Sequence, residues 1–403
     1  NFFDFLWISG DLSFTNSLLD YVTLTDGSTI GVAGDGIDDV EILTVGAHID
    51  SAFAGIDGPY VSLEDTPSAM GFTLSDVDFA FATLSPKVSE LATDLRSWTA
   101  IKALVGSASF VGINDISASI ESLGLELNQG GGTNNGVENT TVVDFASAPL
   151  SIDTGAGDLI TIDFAEDMLE ASGAMTLSIS SFVFVSGEFA FRKGGTTTAT
   201  LSDTTTTKEV SVMTVGASDV DIFVGMNGPA SESGAMGLSL ENVAFGLALA
   251  KPTDTADTAS YYGLKASADS VSLIGLDFLT LSVDNLDVIV NGTSDTVNPN
   301  LVVDFTKGDL DDDTSTTDVT RVKTGIDSYI DFDMTSKVIE ASGAMTLSIS
   351  SFVFVSGEFA FRKGGSTTAT LSDTTTTKEV SVMTVGASDV DIFVGMNGPA
   401  SES

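Results

Sequence analysis

The chain has no cysteine, which excludes disulfide bonds, thiolate chemistry and cysteine zinc sites together. It also has little positive charge: 15 Lys and Arg residues stand against 57 Asp and Glu residues, for a formal net charge of -42. Such a surface repels nucleic acid and attracts cations. We therefore expect no nucleic-acid partner. No apolar run reaches about 18 residues, so we also expect no membrane span.

What the chain does have is an internal repeat with a period of 170 residues. Residues 170–233 recur as residues 340–403 with one difference, Thr196 against Ser366. A more divergent first copy can be traced through shared short motifs in unbroken order. We therefore divide the chain into a first repeat that starts partway through a copy (1–169), a second repeat (170–339) and the start of a third (340–403).

Within each copy, apolar residues recur at every second position, which predicts β-strands. The clearest case has two alternating runs joined by a three-residue step: Leu279, Leu281, Val283, then Leu286, Val288 and Val290. The first copy has apolar residues at the same six positions: Ile116, Ala118, Ile120, Leu123, Leu125 and Leu127. The intervening Phe278 and Ile289 become Asp115 and Glu126, so we expect these two positions to face solvent.

The three-residue step suits a chain that turns a corner and begins a new strand. We therefore predict an all-β fold in which the tandem repeats form an elongated, stacked architecture, with a β-solenoid favoured and tandem β-sandwiches as the alternative. A helix is predicted only within residues 85–104, where Val88, Leu91 and Leu95 have helical spacing.

Little in the sequence points to catalysis. His48 is the single histidine, and the later copies have Ser218 and Ser388 in its place, so we interpret it as a surface residue. The two tryptophans, Trp7 and Trp98, also lack tryptophan counterparts in the second copy. We therefore predict that the chain is not an enzyme. A carbohydrate-binding or carbohydrate-active module remains the alternative, because paired carboxylates can cleave glycosides.

Calcium is the ligand that the acidic loops favour, because it binds carboxylate and carbonyl oxygens. The candidate ligands lie in two loops: Asp309, Asp311, Asp313 and Asp318 in one, and Asp35, Asp38 and Asp39 in the other. The first loop begins with EF-hand spacing but has Thr314 and Thr320 at the places of the glycine and the final glutamate. A solvated acidic loop is the competing interpretation.

Several strings of the second copy carry a resemblance: FVFVSGEFAF, VSVMTVGASDVDIFVGMNGP, MGLSLENVAFGLAL and LKASADSVSLIGLDFLTLSV. They resemble repeats of giant bacterial cell-surface or secreted proteins of the β-strand-repeat, adhesin-like kind. The resemblance implies an extracellular location and a structural or adhesive role in attachment, biofilm matrix or envelope assembly. Self-association with neighbouring repeats or identical chains is the implied partnership, and cell-surface glycans are a further possible partner.

Overall fold

The computed structural model describes residues 5–31, 39–62, 64–66, 68–87, 93–113, 115–307, 310, 319–396 and 398. All regular secondary structure in these ranges is β, which confirms the prediction of an all-β chain. In the same ranges, no helix has the length and apolar character needed to cross a membrane.

Strands β1 to β11 are Leu6–Leu19, Tyr21–Thr23, Thr29–Gly31, Val40–Ile56, Met70–Pro86, Ser97–Val111, Ile116–Gly131, Thr133–Asn134, Val137–Glu138, Leu150–Asp153 and Leu159–Ile162. Strands β12 to β22 are Met168–Ile179, Val183–Thr200, Thr207–Met226, Met236–Pro252, Tyr261–Ile274, Leu279–Thr293, Arg321–Lys323, Tyr329–Asp331, Val338–Ile349, Val353–Thr370 and Thr377–Val394.

The long strands form one antiparallel sheet of 14 strands in the order β1-β4-β5-β6-β7-β12-β13-β14-β15-β16-β17-β20-β21-β22. Each long strand is therefore a neighbour of the next long strand along the chain. The favoured β-solenoid is not confirmed, because strands in a solenoid stack on the strand one coil later. Alternation with a period of two cannot separate these arrangements, since both bury every second side chain.

The chain divides into two compact units. Unit 1 comprises Asn1–Ala174 and Arg192–Gly195, and unit 2 comprises Met175–Phe191 and Thr196–Ser403. The short strands of each unit form two-stranded hairpins outside the large sheet. Some of these hairpins, together with the loop residues beside them, cover one face of the sheet and contribute to the hydrophobic core.

In unit 1 the covering layer, which we call lid 1, consists of residues 21–31 and 142–164. Lid 1 packs on β4, β5 and β6. Trp98, on β6 beneath the lid, is 1% exposed. The Trp98 Nε1 donates a hydrogen bond to the carbonyl of Thr141 at 2.9 Å. The lid contributes the following core residues: Val22, Leu24, Ile30, Val143, Phe145, Ile152, Ile160, Ile162 and Phe164.

In unit 2 the covering layer, which we call lid 2, consists of residues 302–305 and 320–334. Phe305 and Phe332 are almost fully buried and meet edge to face at 5.3 Å between ring centroids. The sheet makes room for them with glycine: a Cβ on Gly246 would lie 3.0 Å from the Phe332 ring, and one on Gly263 would lie 2.6 Å from Phe305.

Two sequence predictions are wrong at particular positions. A helix across residues 85–104 is ruled out at both ends, because β5 runs to Pro86 and β6 begins at Ser97. Residues 88–92 lie outside the described part of the chain. Ile289 does not face solvent but packs against the core under lid 2. Its counterpart Glu126 is half-buried and forms an ion pair with Lys102, so this position tolerates charge because a lysine lies beside it.

Candidate functional site

A row of β-bulges crosses the sheet of unit 1 at mid-strand. One residue in each of four neighbouring strands is left out of the strand pairing, and these residues lie side by side across the sheet: Asp50 on β4, Asp76 on β5, Gly106 on β6 and Ser122 on β7. Asp76 and Ser122 have φ values of 54° and 52°. An extra residue in every strand shifts the side-chain alternation by one position without changing the pairing register. The predicted corner at the three-residue step is therefore a bulge within one continuous strand.

Unit 2 has the same row at the equivalent level. Asn242 on β15, Asp269 on β16 and Asn285 on β17 interrupt the pairing as Asp76, Gly106 and Ser122 do in unit 1. Asn242 and Asn285 have φ values of 50°, and two residues on other strands share this conformation: Asp219 on β14 and Asp389 on β22, with φ values of 52° and 51°. Asp219 lies where the pairing of β14 with β15 shifts register, so it occupies a bulge.

In unit 1 the bulge row gathers three carboxylates around the single histidine. His48 Nδ1 lies 2.8 Å from Asp78 Oδ1, and His48 Nε2 lies 3.6 Å from Asp50 Oδ1. The hydrogen bond to Asp78 is the largest effect and raises the pKa of His48, while burial lowers this pKa by less. The negative charges of Asp78, Asp50 and Asp76 add to the rise. The His48 side chain is 27% exposed, and two carboxylates lie within ion-pair distance of its ring nitrogens.

In unit 2 the equivalent region forms a polar cluster beside a cleft of ≈ 660 Å³. The backbone amide of Asn242 donates to Asp221 Oδ1 at 3.0 Å, and its side-chain amide donates to Asp269 Oδ2 at 2.9 Å. Phe184 and Phe223 also line the cleft. Carboxylates beside aromatic rings can hold a polar ligand that has an apolar face.

One lysine in each unit ties the lid to the sheet. In unit 1, Lys102 Nζ lies 2.7 Å from Asp163 and 3.3 Å from Glu126. Burial opposes the charged form, but the hydrogen bond to Asp163 and the charge of Glu126 raise the pKa of Lys102. In unit 2, Lys265 at the equivalent position bonds Asp333 at 2.7 Å and the Asp331 carbonyl at 2.9 Å.

A buried asparagine binds each lid from the end of a long strand. Asn128 on β7 donates to the carbonyl of Val143 at 2.9 Å, and Asn291 on β17 donates to Val303 at 2.8 Å. Their exposures are 0% and 1%. The Oδ1 atom of each lacks a hydrogen-bond partner. The pair was not identified from the sequence, although both asparagines precede a Val-Asp-Phe motif that the copies share.

The calcium prediction stays a prediction. Asp309, Asp311, Asp313, Asp318, Asp35 and Asp38 lie outside the described residues. Asp39 is described: its amide donates to the Leu19 carbonyl at 3.0 Å and its carbonyl accepts from Lys87 at 2.7 Å, just before β4 begins. No group of three or more acidic or histidine side chains arranged to hold a metal is present in the described part of the chain.

The sequence alone could not assemble these clusters, because their members are distant along the chain. His48 and Asp78 are 30 residues apart, and Lys102 and Asp163 are 61 apart. The available signal was the shift of alternation at the bulge, which marks where the polar side chains gather. Comparison with known proteins finds no matching family model, no similar curated protein and no similar solved structure.

Proposed function

We propose that this chain is a structural or adhesive repeat region of a large bacterial extracellular or cell-surface protein. In this role each 170-residue copy adds strands to one sheet, so that the region serves as a spacer or as a self-assembling unit of a filament, matrix or envelope. The tandem, elongated repeat architecture belongs to the same proposal.

The observation that carries the proposal is that successive copies attach to the preceding strands through equivalent contacts. In unit 1, Gly173 on β12 lies against β7: a Cβ there would be 3.2 Å from Ile120. In unit 2, Gly343 on β20 lies against β17: a Cβ there would be 2.8 Å from Val283, the counterpart of Ile120. A junction that is used twice with the same close approach supports growth of the sheet by copies.

The edge strand β22 supports the same role. Its sequence is that of β14 up to Val394, and β14 pairs with β15 through contacts such as Val215 with Leu247. On β22 the counterpart Val385 is 71% exposed. β22, the last strand in the described sheet order, therefore carries the side chains and backbone pattern that pair with a β15 strand within unit 2, which is the pattern that a further copy would need to continue the sheet.

Small-angle scattering of this chain and of a chain extended by one more 170-residue copy tests the proposal, with and without calcium. We expect the maximum dimension to be larger for the chain that has the additional copy. A longer chain whose maximum dimension is unchanged and whose thickness grows would overturn the spacer role.

A carbohydrate-binding module is the second candidate, and the cleft beside Asn242 favours it. Asp221 and Asp269 could accept hydrogen bonds from sugar hydroxyls while Phe184 and Phe223 contact the ring faces. A glycan array and a hydrolysis screen test this function. Binding that the Asp269→Ala variant loses would favour it, and an empty array together with no hydrolysis would remove it.

A further inference from the structure

The sheet of unit 1 has one face that no lid covers. On this face, which we call the open face, Phe14, Val45, Phe81, Ile101 and Leu127 lie in one row across β1, β4, β5, β6 and β7. Four more rows pass through Phe79, Val77, Leu74 and Phe72, and the members of every row are apolar or glycine. Five rows of five residues thus contain no charge and no polar side chain.

Exposure shows that this face is unpartnered within the described part of unit 1. Phe14 is 65% exposed, Leu12 is 69% exposed and Phe72 is 60% exposed. On the opposite face, the residues under lid 1 are almost fully buried, with Ala82 at 0% and Leu84 at 2%. The opposite face of the sheet therefore has its core under lid 1, whereas the open face is exposed along β1 and at Phe72, and its small central residues Ala47, Val77 and Ala103 are buried at 6%, 7% and 7% exposure.

The open face approaches the size of a standard protein interface. Five strands spaced about 4.8 Å apart, with about nine residues of about 3.3 Å rise each, give a patch of roughly 700 Å². A standard interface uses about 800 Å² on each partner, and exposed apolar patches on monomers rarely exceed a few hundred Å².

Unit 2, taken by itself, has the same kind of face. One row crosses seven of its strands and is apolar throughout: Val224, Leu238, Leu273, Leu281, Leu347, Val355 and Ile392. The strand spacing and row spacing of this face equal those of the open face of unit 1, because both are antiparallel sheets with one bulge row. The apolar rows on one molecule therefore have the same spacing as the apolar rows on a second molecule of this chain.

We propose that the open face docks on the same face of a second copy of this chain, so that two sheets enclose a second core. A second copy fits because it brings an uncharged face of equal size and equal row spacing, which an isologous dimer requires. The net charge of -42 lies elsewhere on each copy and opposes association. Salt screens that repulsion, so this dimer tightens as ionic strength rises, whereas docking of a cationic partner weakens.

Sedimentation velocity over a range of protein and NaCl concentrations tests the proposal on the full chain. The wild type should be a dimer at about 0.5 M NaCl and should dissociate on dilution at about 0.05 M NaCl. The double variant Phe72→Glu and Leu238→Glu puts a carboxylate on the open face of each unit. We expect its dimerisation constant to fall by about tenfold or more, because the charge is desolvated only in the dimer.

A matched control places the same charges on exposed aromatic residues away from the strands. Phe182 and Phe278 are 52% and 61% exposed and lie in turns, so Phe182→Glu with Phe278→Asp should dimerise like the wild type. Far-ultraviolet circular dichroism checks that the variants fold, and Phe72→Ser with Leu238→Ser replaces the charged pair if it does not. The proposal is overturned by a wild type that stays monomeric at all salt concentrations, or by folded open-face variants that associate as the wild type does.

Discussion

The substitution Phe145→Ala tests whether lid 1 is a true half of the core. Phe145 belongs to no strand, yet it is 3% exposed and meets Phe164 edge to face at 6.2 Å between centroids. Truncating a buried phenylalanine costs about 3–5 kcal/mol, because the transfer free energy is lost and a cavity remains. With a denaturant dependence of about 2–3 kcal/mol per molar, the urea midpoint of unit 1 should fall by about 1–2.5 M.

Tryptophan fluorescence can follow this unfolding from inside the same core. Trp98 lies under lid 1, and Trp7 can be changed to phenylalanine, the residue that the second copy has as Phe184. The control is Leu159→Ala in the same lid, because Leu159 is 64% exposed and its truncation should change the midpoint little. If Phe145→Ala shifts the midpoint no further than Leu159→Ala does, the lid is not packed as the structure describes.

Four further predictions follow from single contacts. Asn128→Ala should lower the unfolding free energy of unit 1 by about 1–3 kcal/mol, because the Val143 carbonyl loses a buried donor, and a change below about 0.5 kcal/mol in urea titrations would contradict this. The pKa of His48, read by NMR from the single imidazole, should lie above 6.5 in the wild type and return towards 6.5 in Asp78→Asn. The stabilisation that the charged His48 provides is therefore complete below pH 6.5 and is lost as pH rises through the raised pKa. Equal pKa values in both proteins would refute the pairing of His48 with Asp78. The Thr206 hydroxyl and the backbone amides of Thr206 and Thr205 lower the pKa of Asp203 to about 2. The contribution of Asp203 to stability is therefore present above pH 3.8 and is lost as pH falls through about 2. Carbon NMR should show that Thr206→Val raises the pKa of Asp203, and a wild-type pKa near 3.8 would exclude these hydrogen bonds. Calcium in excess of EGTA should raise the melting temperature if Asp309, Asp311 and Asp313 bind it, with about 2.7 kcal/mol gained at 100 times the dissociation constant, and equal midpoints would end this idea.

The sequence predicts the strands and their apolar faces well, because alternation is a local property. It could not predict which strands pair, since a meander and a solenoid need the same pattern. Nor could it identify the covered face. Lid 1 and lid 2 are built from hairpin strands of three or four residues, which are too short for a reliable periodic signal. Ile289 was misplaced for this reason: its apolar neighbours under lid 2 come from those short segments.

The polar clusters were missed for a different reason. His48 pairs with Asp78 and Lys102 pairs with Asp163 only after the strands are in register, and charge patterning along the chain contains no trace of either pair. The absence of a histidine in the later copies correctly excluded a site shared by all repeats. That absence did not mean that His48 lacks partners. A residue that is present in one copy alone can still pair with a residue on the neighbouring strand, as His48 on β4 does with Asp78 on β5.

The bulge row shows what the copies keep in common. At equivalent positions Asp76 stands against Asn242, and Ser122 against Asn285, so the charge or the side chain changes while φ stays near 50°. Asparagine and aspartate adopt this left-handed conformation more readily than most other residues. The shared property is therefore the backbone conformation that keeps every strand one residue longer at the same level. If one strand lost that residue, its far half would shift by one position and turn its apolar side chains to the other face. A row that fixes register without fixing side-chain chemistry is what the proposed growth of one sheet by successive copies requires.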